Sequence, residues 1–482
     1  MNLSLTEREK INFGLLFGLT AVIMGLALGV VVAGTDSSLQ LVVVVVGLIV
    51  LLATVTDMQW GLLVLVFISF TRFSDIAIAY HGAPSIAKSF IALLVVGILA
   101  RWFVSGVRPE GWERSAFIIA AFGIVGFASL LYAEDFSRAS DALNDFVKDL
   151  TIVLIIGVLM QNLKVMRRVL WTLLIAGMFL GTLSVYQYMT GTYGDNYWGF
   201  AQAPELNIVG DTDGNRASGP IGDPNFFAQI MLVLVPIALD RFIHEKKRWI
   251  KVLAGYALAI SILTIVVTFS RGAFVAMVMM LGLMFLYRPP KPAALVGLVL
   301  FGLLLLPFVP SSYTNRIMTL VDFLPGIGNP TAEVSFRGRT SEVIVAWLMF
   351  VDNPILGVGV DHYPLNYQQY SRQLGLDPRT EERAAHNLYL EVASERGLLG
   401  LAAFGIIMLE LFRGLYYSWN TFRDKEMHDE AAMIAAYTFG LIGYLFAAMF
   451  IHDAYPRYLW MFIGIGLSIP VVTRNEILNP SR

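Results

Sequence analysis

The sequence predicts an all-α, polytopic membrane protein with about 12 to 14 transmembrane helices and a large helical loop on one side of the bilayer. Two observations support this prediction. Hydrophobic residues make up 57% of the 482 residues and charged residues only 15%, whereas a soluble globular protein carries about 25% charged residues. Apolar runs of about 20 residues, the length that crosses the hydrocarbon core of a bilayer, recur along the chain.

The candidate spans are apolar runs separated by polar or basic segments. They lie near residues 11–33, 39–57, 60–79, 85–104, 115–133, 146–161, 167–189, 225–243, 250–269, 272–288, 293–310, 397–417, 431–451 and 457–473. The first run is too long for the apolar part of a cleaved signal peptide, so we interpret it as a span. Only two connections are long, 190–224 and 311–396.

Basic residues predict the orientation, because Lys and Arg are retained on the cytoplasmic side of short loops. The segments DRFIHEKKRWIK, YRPPKP and FRDKEMH fall on one side together with both chain termini. Both long loops then face the opposite, periplasmic side. The basic residues on that side are almost all arginine, whose planar guanidinium can bind phosphate or carboxylate at two points.

Composition also excludes several kinds of site. The chain has no cysteine, which rules out disulfides, thiolate metal sites and cysteine nucleophiles. The net charge of −2 points to no acidic partner, and we expect no nucleic-acid partner. Asp211 and Asp213 resemble a metal-binding pair, but the rest of a calcium loop is missing. We therefore expect neither a metal nor another cofactor.

Two arginines lie beside apolar runs on the predicted periplasmic side. Arg216 sits in DTDGNRASGPIGDPNFFAQI, a glycine-rich stretch before a capped span, where backbone amides could help to hold an anion. Arg271 interrupts the apolar stretch 250–287 within TFSRGAFVAM, and a charge near hydrocarbon is costly. Arg216 could instead be an ordinary solvated residue, and Arg271 could reach lipid phosphate.

The loop 311–396 contains two predicted helices, SEVIVAWLMFVDNP and HYPLNYQQYSRQLG, separated by a turn at GVGV. Arg337 and Arg339 precede the first helix. We favour Arg339 as an anion ligand, because it lies close to the predicted helix N-terminus, where the helix dipole attracts negative charge. Surface charge is the alternative for one of the two arginines.

A histidine begins the helix that leads into a later span, in RAAHNLYLEVASERGLLGL. His386 is the best candidate for a proton acceptor on the periplasmic side, because histidine titrates near neutral pH. A structural histidine is the alternative. Asn387, Glu391, Arg337 and His452 are candidates for supporting contacts around such a site.

Four motifs together, RASGPIGDPNFFA, FSRGAF, DNPILGVGVDHY and HNLYLEVASERGLLGL, resemble the bacterial O-antigen ligase and polymerase superfamily in order and spacing. The resemblance is most specific over about residues 200–415. It divides the chain into N-terminal transmembrane helices (1–199), a ligase-like catalytic region (200–420, including the outer loop 311–396) and C-terminal transmembrane helices (421–482). The implied architecture is similar to that of C-type glycosyltransferases in the bacterial inner membrane.

This resemblance implies an enzyme that moves a glycan from an undecaprenyl diphosphate carrier to an acceptor hydroxyl with inversion. Arg216, Arg271 and Arg339 would bind the diphosphate, and His386 would be the general base. The sequence departs from the family's pattern after Arg339, because the tryptophan that normally follows closely is Trp347, eight residues on. The implied partners are the lipid-linked donor, a glycan or lipid-core acceptor and the bilayer.

Three alternatives remain open at the level of sequence. A polymerase would differ from a ligase only in its acceptor, a second carrier-linked repeat. A transporter of the same lipid-linked glycan would also need outward arginines, although transporters place ionisable residues near the bilayer midplane. A scaffold of a polysaccharide export complex would tolerate lysine at Arg216 and Arg271.

Overall fold

α-Helices form most of the protein, as the sequence predicts. The computed structural model describes residues 38–106, 108, 110–209, 212–287, 289, 292–320, 334–376, 382–451 and 457–478. The helices are α1 (Ser38–Thr56), α2 (Met58–Thr71), α3 (Phe73–His81), α4 (Ile86–Ser105), α5 (Glu113–Ala128), α6 (Phe136–Leu159), α7 (Leu163–Thr190), α8 (Pro224–His244), α9 (Arg248–Val267), α10 (Arg271–Tyr287), α11 (Pro292–Leu305), α12 (Ser311–Met318), α13 (Val334–Asp352), α14 (Tyr363–Gln373), α15 (Leu388–Asp424), α16 (His428–Ala447) and α17 (Arg457–Leu478).

Among the described residues, 8 helices are long and apolar enough to cross a membrane. Two further helix pairs, α2 with α3 and Leu295–Phe308 with α12, pass the same test together but are bent by 55° and 110°. Counting each bent pair as one span brings the number to 10. The prediction of an all-α, multi-pass membrane protein is confirmed, and the predicted span at 11–33 lies outside the described residues.

Helix α8 lies at the centre of the bundle, where residues 227–241 are all buried and mostly apolar. It packs between α9 and α16. Gly440 of α16 permits a close approach to α8, because a Cβ there would lie 2.7 Å from the carbonyl oxygen of Val233. Asp223 caps the start of α8 by accepting hydrogen bonds from the backbone N–H groups of Asn225 and Phe226.

A short hairpin precedes α8. Strand β1 (Glu205–Val209) pairs antiparallel with β2 (Thr212–Asn215), and Glu205 lies opposite Asn215. Arg216 follows β2 directly, and its backbone N–H donates to the carbonyl of Pro204. The hairpin therefore sets the position from which the Arg216 side chain enters the protein.

A small outer unit is built from α13, α14 and residues 382–387 around its own apolar core, which includes Val345, Met349 and Tyr367. The first predicted helix of the outer loop is longer than expected and begins at Val334, ahead of Ser341. The predicted turn at GVGV is present, with positive φ angles at Gly357 and Gly359.

The outer unit is attached to the bundle at a break in α15. Gly397 adopts φ 60° and ψ −159° there, and the backbone N–H of Leu398 donates to the carbonyl of Pro354. The N–H of Val358 donates to the carbonyl of Ser394. The break therefore releases backbone groups of α15 for hydrogen bonds with the outer unit.

We expect Gly397→Ala to destabilise the protein. Its Cβ would lie 2.4 Å from the backbone of Ile355, and its backbone conformation is strained for any residue with a side chain, at a cost of about 1–3 kcal/mol. The control is Gly405→Ala in the same helix, where a Cβ meets no atom within 4 Å. Apparent Tm in detergent should fall only for the first variant, and equal Tm values would contradict the account.

Candidate functional site

Arg216 is buried, with a relative exposure of 5%. Its Nε donates to the carbonyl oxygen of Thr268 at 2.9 Å, and its Nη2 donates to Asn225 Oδ1 at 3.1 Å. Nη1 has no acceptor among the described residues. The side chain is thus held from two sides, by the C-terminal end of α9 and by the first turn of α8.

Arg271 begins helix α10 directly after a tight turn at Phe269, whose φ is 55°. Its Nη1 donates to Thr319 Oγ1 at 2.8 Å. A second buried arginine, Arg316 of α12, donates from Nε to the carbonyl of Phe269. The turn between α9 and α10 is therefore held by two guanidinium groups from other parts of the chain: Arg216 donates to the Thr268 carbonyl and Arg316 to the Phe269 carbonyl.

Of the three arginines predicted to bind a diphosphate, Arg271 and Arg339 lie close enough to Arg216 to affect it electrostatically. Burial lowers the pKa of the Arg216 guanidinium to about 10; Asp223 opposes this shift, while the positive charges of Arg339 and Arg271 add to it. Arg216 nevertheless remains protonated at neutral pH. The structure therefore brings Arg216, Arg271 and Arg339 together, although they come from three different segments.

Arg339 does not lie at the N-terminus of its helix, in contrast to the prediction from the sequence. Because α13 begins at Val334, Arg339 lies beyond the first helical turn, where the effect of the helix dipole has largely fallen off. Its position next to an anion site would therefore rest on its neighbours Arg216 and Arg271. The side chain of Arg337 lies outside the described residues.

Glu342 is fully buried and lies one turn beyond Arg339 on α13. Its Oε1 accepts a hydrogen bond from Arg383 Nε at 2.8 Å, and its Oε2 lies 3.0 Å from His386 Nδ1. Burial raises the pKa of Glu342, but His386 and Arg383 outweigh that effect and hold the pKa below its ordinary value. Glu342 is therefore an anion that links Arg383 and His386 to the helix of Arg339.

The surroundings of His386 determine which of its ring nitrogens carries the proton. Nδ1 lies 3.0 Å from the Ala384 carbonyl oxygen and 3.0 Å from Glu342 Oε2, both of which are acceptors. In the neutral ring, Nδ1 is then protonated and Nε2 carries the lone pair. Nε2 is therefore the ring nitrogen that can accept a proton.

The backbone of His386 is unusual. Its φ is 44°, an uncommon value for a residue other than glycine. Flanking contacts hold it there: Asn387 Oδ1 accepts from the N–H groups of Tyr389 and Leu390, and Leu388 N–H donates to the carbonyl of Ala448. Strain held in place by its surroundings is frequent at functional sites.

Other predicted supporting residues have different positions. Asn387 caps α15, and its Nδ2 donates to the Met449 carbonyl, so its contacts position the backbone next to His386. Glu391 is buried one turn further along α15. His452 and Asp211 lie outside the described residues. Within the described ranges, no group of three or more His, Asp or Glu side chains could hold a metal ion.

Three residues that hold the outer unit in place were not predicted from the sequence. Glu395 accepts from the N–H groups of Asp361 and Tyr363 at the start of α14. His362, buried at that helix start, accepts from the Asp135 N–H through Nε2. Arg138 of α6 forms ion pairs with Asp361 and Glu382. The only sequence signal for these contacts is the presence of charged residues in the segments 361–363 (DHY) and 394–396 (SER).

Comparison with known proteins agrees with the motifs. Residues 256–405 match the model of a protein family described as O-antigen ligase. The matched range includes Arg271, Arg339, Glu342 and His386, whereas Arg216 precedes it. The resemblance to the O-antigen ligase and polymerase superfamily is thereby confirmed. No curated protein matches the chain.

The position of Glu342 predicts a pH-dependent contribution to stability. Because its pKa is lowered in the folded protein, the stabilisation is present above the ordinary pKa of glutamate, about 4.3, and is lost as the pH falls through the folded value. Glu342→Gln should therefore cost about 1.5–3 kcal/mol near neutral pH and less in acid. The apparent Tm of the wild type and of Glu342→Gln, measured from neutral pH down to acid, gives the difference in stability at each pH.

Glu382→Gln is the matched control, because Glu382 also pairs with an arginine but its side chain is 54% exposed. Its Tm should remain close to that of the wild type. An unchanged Tm for Glu342→Gln at neutral pH, or an equal loss at every pH, would contradict the role assigned to the buried carboxylate.

Proposed function

We propose, from the match of residues 256–405 to the O-antigen ligase family, that this multi-pass membrane protein is a glycosyltransferase that uses an undecaprenyl diphosphate-linked donor. It transfers the glycan to an acceptor hydroxyl on the periplasmic face, in the manner of an O-antigen ligase. Transfer to another carrier-linked repeat would make it a polymerase, and the acceptor alone distinguishes the two.

One observation supports this proposal most strongly. Three arginines from separate segments lie close enough for Arg271 and Arg339 to lower the pKa of Arg216, although like charges repel. An anion bound among the three guanidinium groups would offset the repulsion between them. A diphosphate, with several oxygens, suits guanidinium groups that can donate in pairs.

At the anomeric carbon of the donor sugar, one bond forms and one breaks. The acceptor oxygen attacks the anomeric carbon, and the bond from that carbon to the diphosphate oxygen breaks. The bonding electrons leave with undecaprenyl diphosphate, so negative charge grows on the leaving group. Arg216, Arg271 and Arg339 would stabilise that charge more in the transition state than in the donor. Attack from the opposite face inverts the anomeric centre.

His386 would accept the proton of the acceptor hydroxyl at Nε2 as the new bond forms. Glu342 would then stabilise the imidazolium, because its carboxylate lies 3.0 Å from Nδ1. This arrangement resembles the carboxylate–histidine pairs of other enzymes, in which the acid orients the ring and stabilises its charge. Arg383 shares the carboxylate and keeps it ionised.

A transporter is less well supported. Transport would require charged groups along a path through the bilayer. Arg216 and His386 instead precede α8 and α15, Arg271 begins α10, and Arg339 lies in the second turn of α13. Nearby helix N-termini also favour an anion.

The test is glycan transfer in membranes that contain single variants. His386→Ala should lower the transfer rate by about 10²- to 10⁴-fold, the usual contribution of a general base. Arg271→Lys should lower it strongly as well, because lysine cannot donate in pairs from a planar fork. Transfer is measured with an undecaprenyl diphosphate-linked glycan and, in separate reactions, a lipid-core acceptor or a second carrier-linked glycan.

The control is His81→Ala, which removes an exposed histidine whose Nε2 contacts the Trp198 carbonyl. Its activity should equal that of the wild type. Full transfer by folded His386→Ala would disprove the enzymatic proposal. Wild-type activity of Arg271→Lys would instead favour a scaffold or a simple surface role for that arginine.

A further inference from the structure

A large cavity lies at the end of the bundle opposite Arg216. Asn225, in the first turn of α8, contacts Arg216. Near the other end of the helix, the cavity is lined by Leu239, Asp240, Phe242, Ile243 and His244. At 1.5 Å per residue, about 25 Å separates the two regions. The cavity has a volume of about 1120 Å³, and its lining contains none of Arg216, Arg271 and His386, so it is distinct from the candidate site.

The walls of this cavity are mostly apolar. Aromatic residues contribute much of the lining: Phe242, Phe285, Trp419 and Phe439. Beside them, Ile243 is 48% exposed and Leu286 is 81% exposed, as expected of side chains that face lipid in a membrane protein. An apolar chain could therefore enter from the bilayer without passing through water.

Basic side chains surround the same space. Lys251 lies 5.5 Å from the centre of the Phe242 ring, and the guanidinium of Arg423 lies 4.5 Å from the centre of the Trp419 ring. Both cations and both rings line the cavity. Cation–π contacts hold these charges beside the apolar walls.

The acidic residue in the lining is already neutralised. Asp240 is buried, and its Oδ2 accepts from Arg241 Nε at 2.9 Å. Its Oδ1 lies 2.8 Å from His244 Nδ1. Arg423 Nη2 also lies 3.5 Å from Oδ1 of Asp424, an exposed residue outside the lining. Among the lining side chains, Lys251 and Arg423 therefore give an excess of positive charge. An apolar chamber with basic groups is complementary to an anionic amphiphile.

The loops around the cavity are those that the positive-inside rule assigns to the cytoplasm. They are the connections α8 to α9, α10 to α11 and α15 to α16, within DRFIHEKKRWIK, YRPPKP and FRDKEMH. Anionic lipids give the cytoplasmic leaflet its negative surface, and basic pockets between transmembrane helices on that side bind their head groups.

We propose that this cavity binds one anionic phospholipid of the cytoplasmic leaflet. The phosphate lies near Lys251 and Arg423, and an acyl chain follows the aromatic wall between α8, α10 and α16. The occupant is a lipid of the surrounding bilayer, and its binding is independent of the chemistry proposed for the arginine cluster.

Native mass spectrometry of the purified, full-length protein tests this proposal. Dioleoylphosphatidylglycerol should bind at one saturable site at least about tenfold more tightly than dioleoylphosphatidylcholine, because two cations face the head group. The double variant Lys251→Gln/Arg423→Gln should reduce that preference to near unity. Arg413→Gln is the control: it removes an exposed arginine of α15 that is outside the cavity lining.

A second variant tests the apolar part. Gly297→Trp adds bulk from α11 into the lining, where a Cβ meets no atom within 4 Å, so the fold should tolerate it; retention of both lipids should fall. Equal binding of the two lipids by the wild type, or an unchanged preference in the double variant, would overturn the proposal. Displacement of the lipid by millimolar inorganic phosphate, with no effect of Gly297→Trp, would reveal a simple anion site instead.

Discussion

Electrostatic repulsion among arginines is the constraint on which the rest of the site depends. Burial lowers the pKa of the Arg216 guanidinium, and the positive charges of Arg339 and Arg271 lower it further. The fold holds Arg216 in place with the carbonyl of Thr268 and the amide of Asn225. These anchors are uncharged, so they fix the direction of the side chain without neutralising it. Asp223 supplies a partial counter-charge, and an anionic substrate would supply the rest.

The outer unit contributes a buried negative charge, the carboxylate of Glu342. Glu342 lies one turn from Arg339, yet its carboxylate is directed to His386 and Arg383. This buried carboxylate and the Ala384 carbonyl are the acceptors at His386 Nδ1, so Nδ1 is the protonated nitrogen of the neutral ring. The position of this unit depends on the break at Gly397 and on Glu395, which holds the start of α14. These residues of α15 therefore help to determine where the side chain of His386 lies.

The sequence predicted those site residues whose charge or polarity stands out against an apolar run. Arg271 was recognisable because it interrupts an apolar stretch, and His386 because it precedes a span. The helices agreed closely with the apolar runs, since burial in lipid leaves few other solutions. Glu342 was not recognised, because one glutamate in SEVIVAW is ordinary on an amphipathic helix. The hairpin at 205–215 was missed too, because TDGN has no apolar alternation. Long-range contacts of this kind leave no periodic trace.

A structure of the protein bound to undecaprenyl diphosphate, the product that the proposed reaction would release, tests the central claim most directly. The account predicts density for the two phosphates in contact with Arg216, Arg271 and Arg339, with His386 on the side from which an acceptor hydroxyl would approach. Ordered diphosphate density at another place, with the three guanidinium groups bound only to protein atoms, would contradict it.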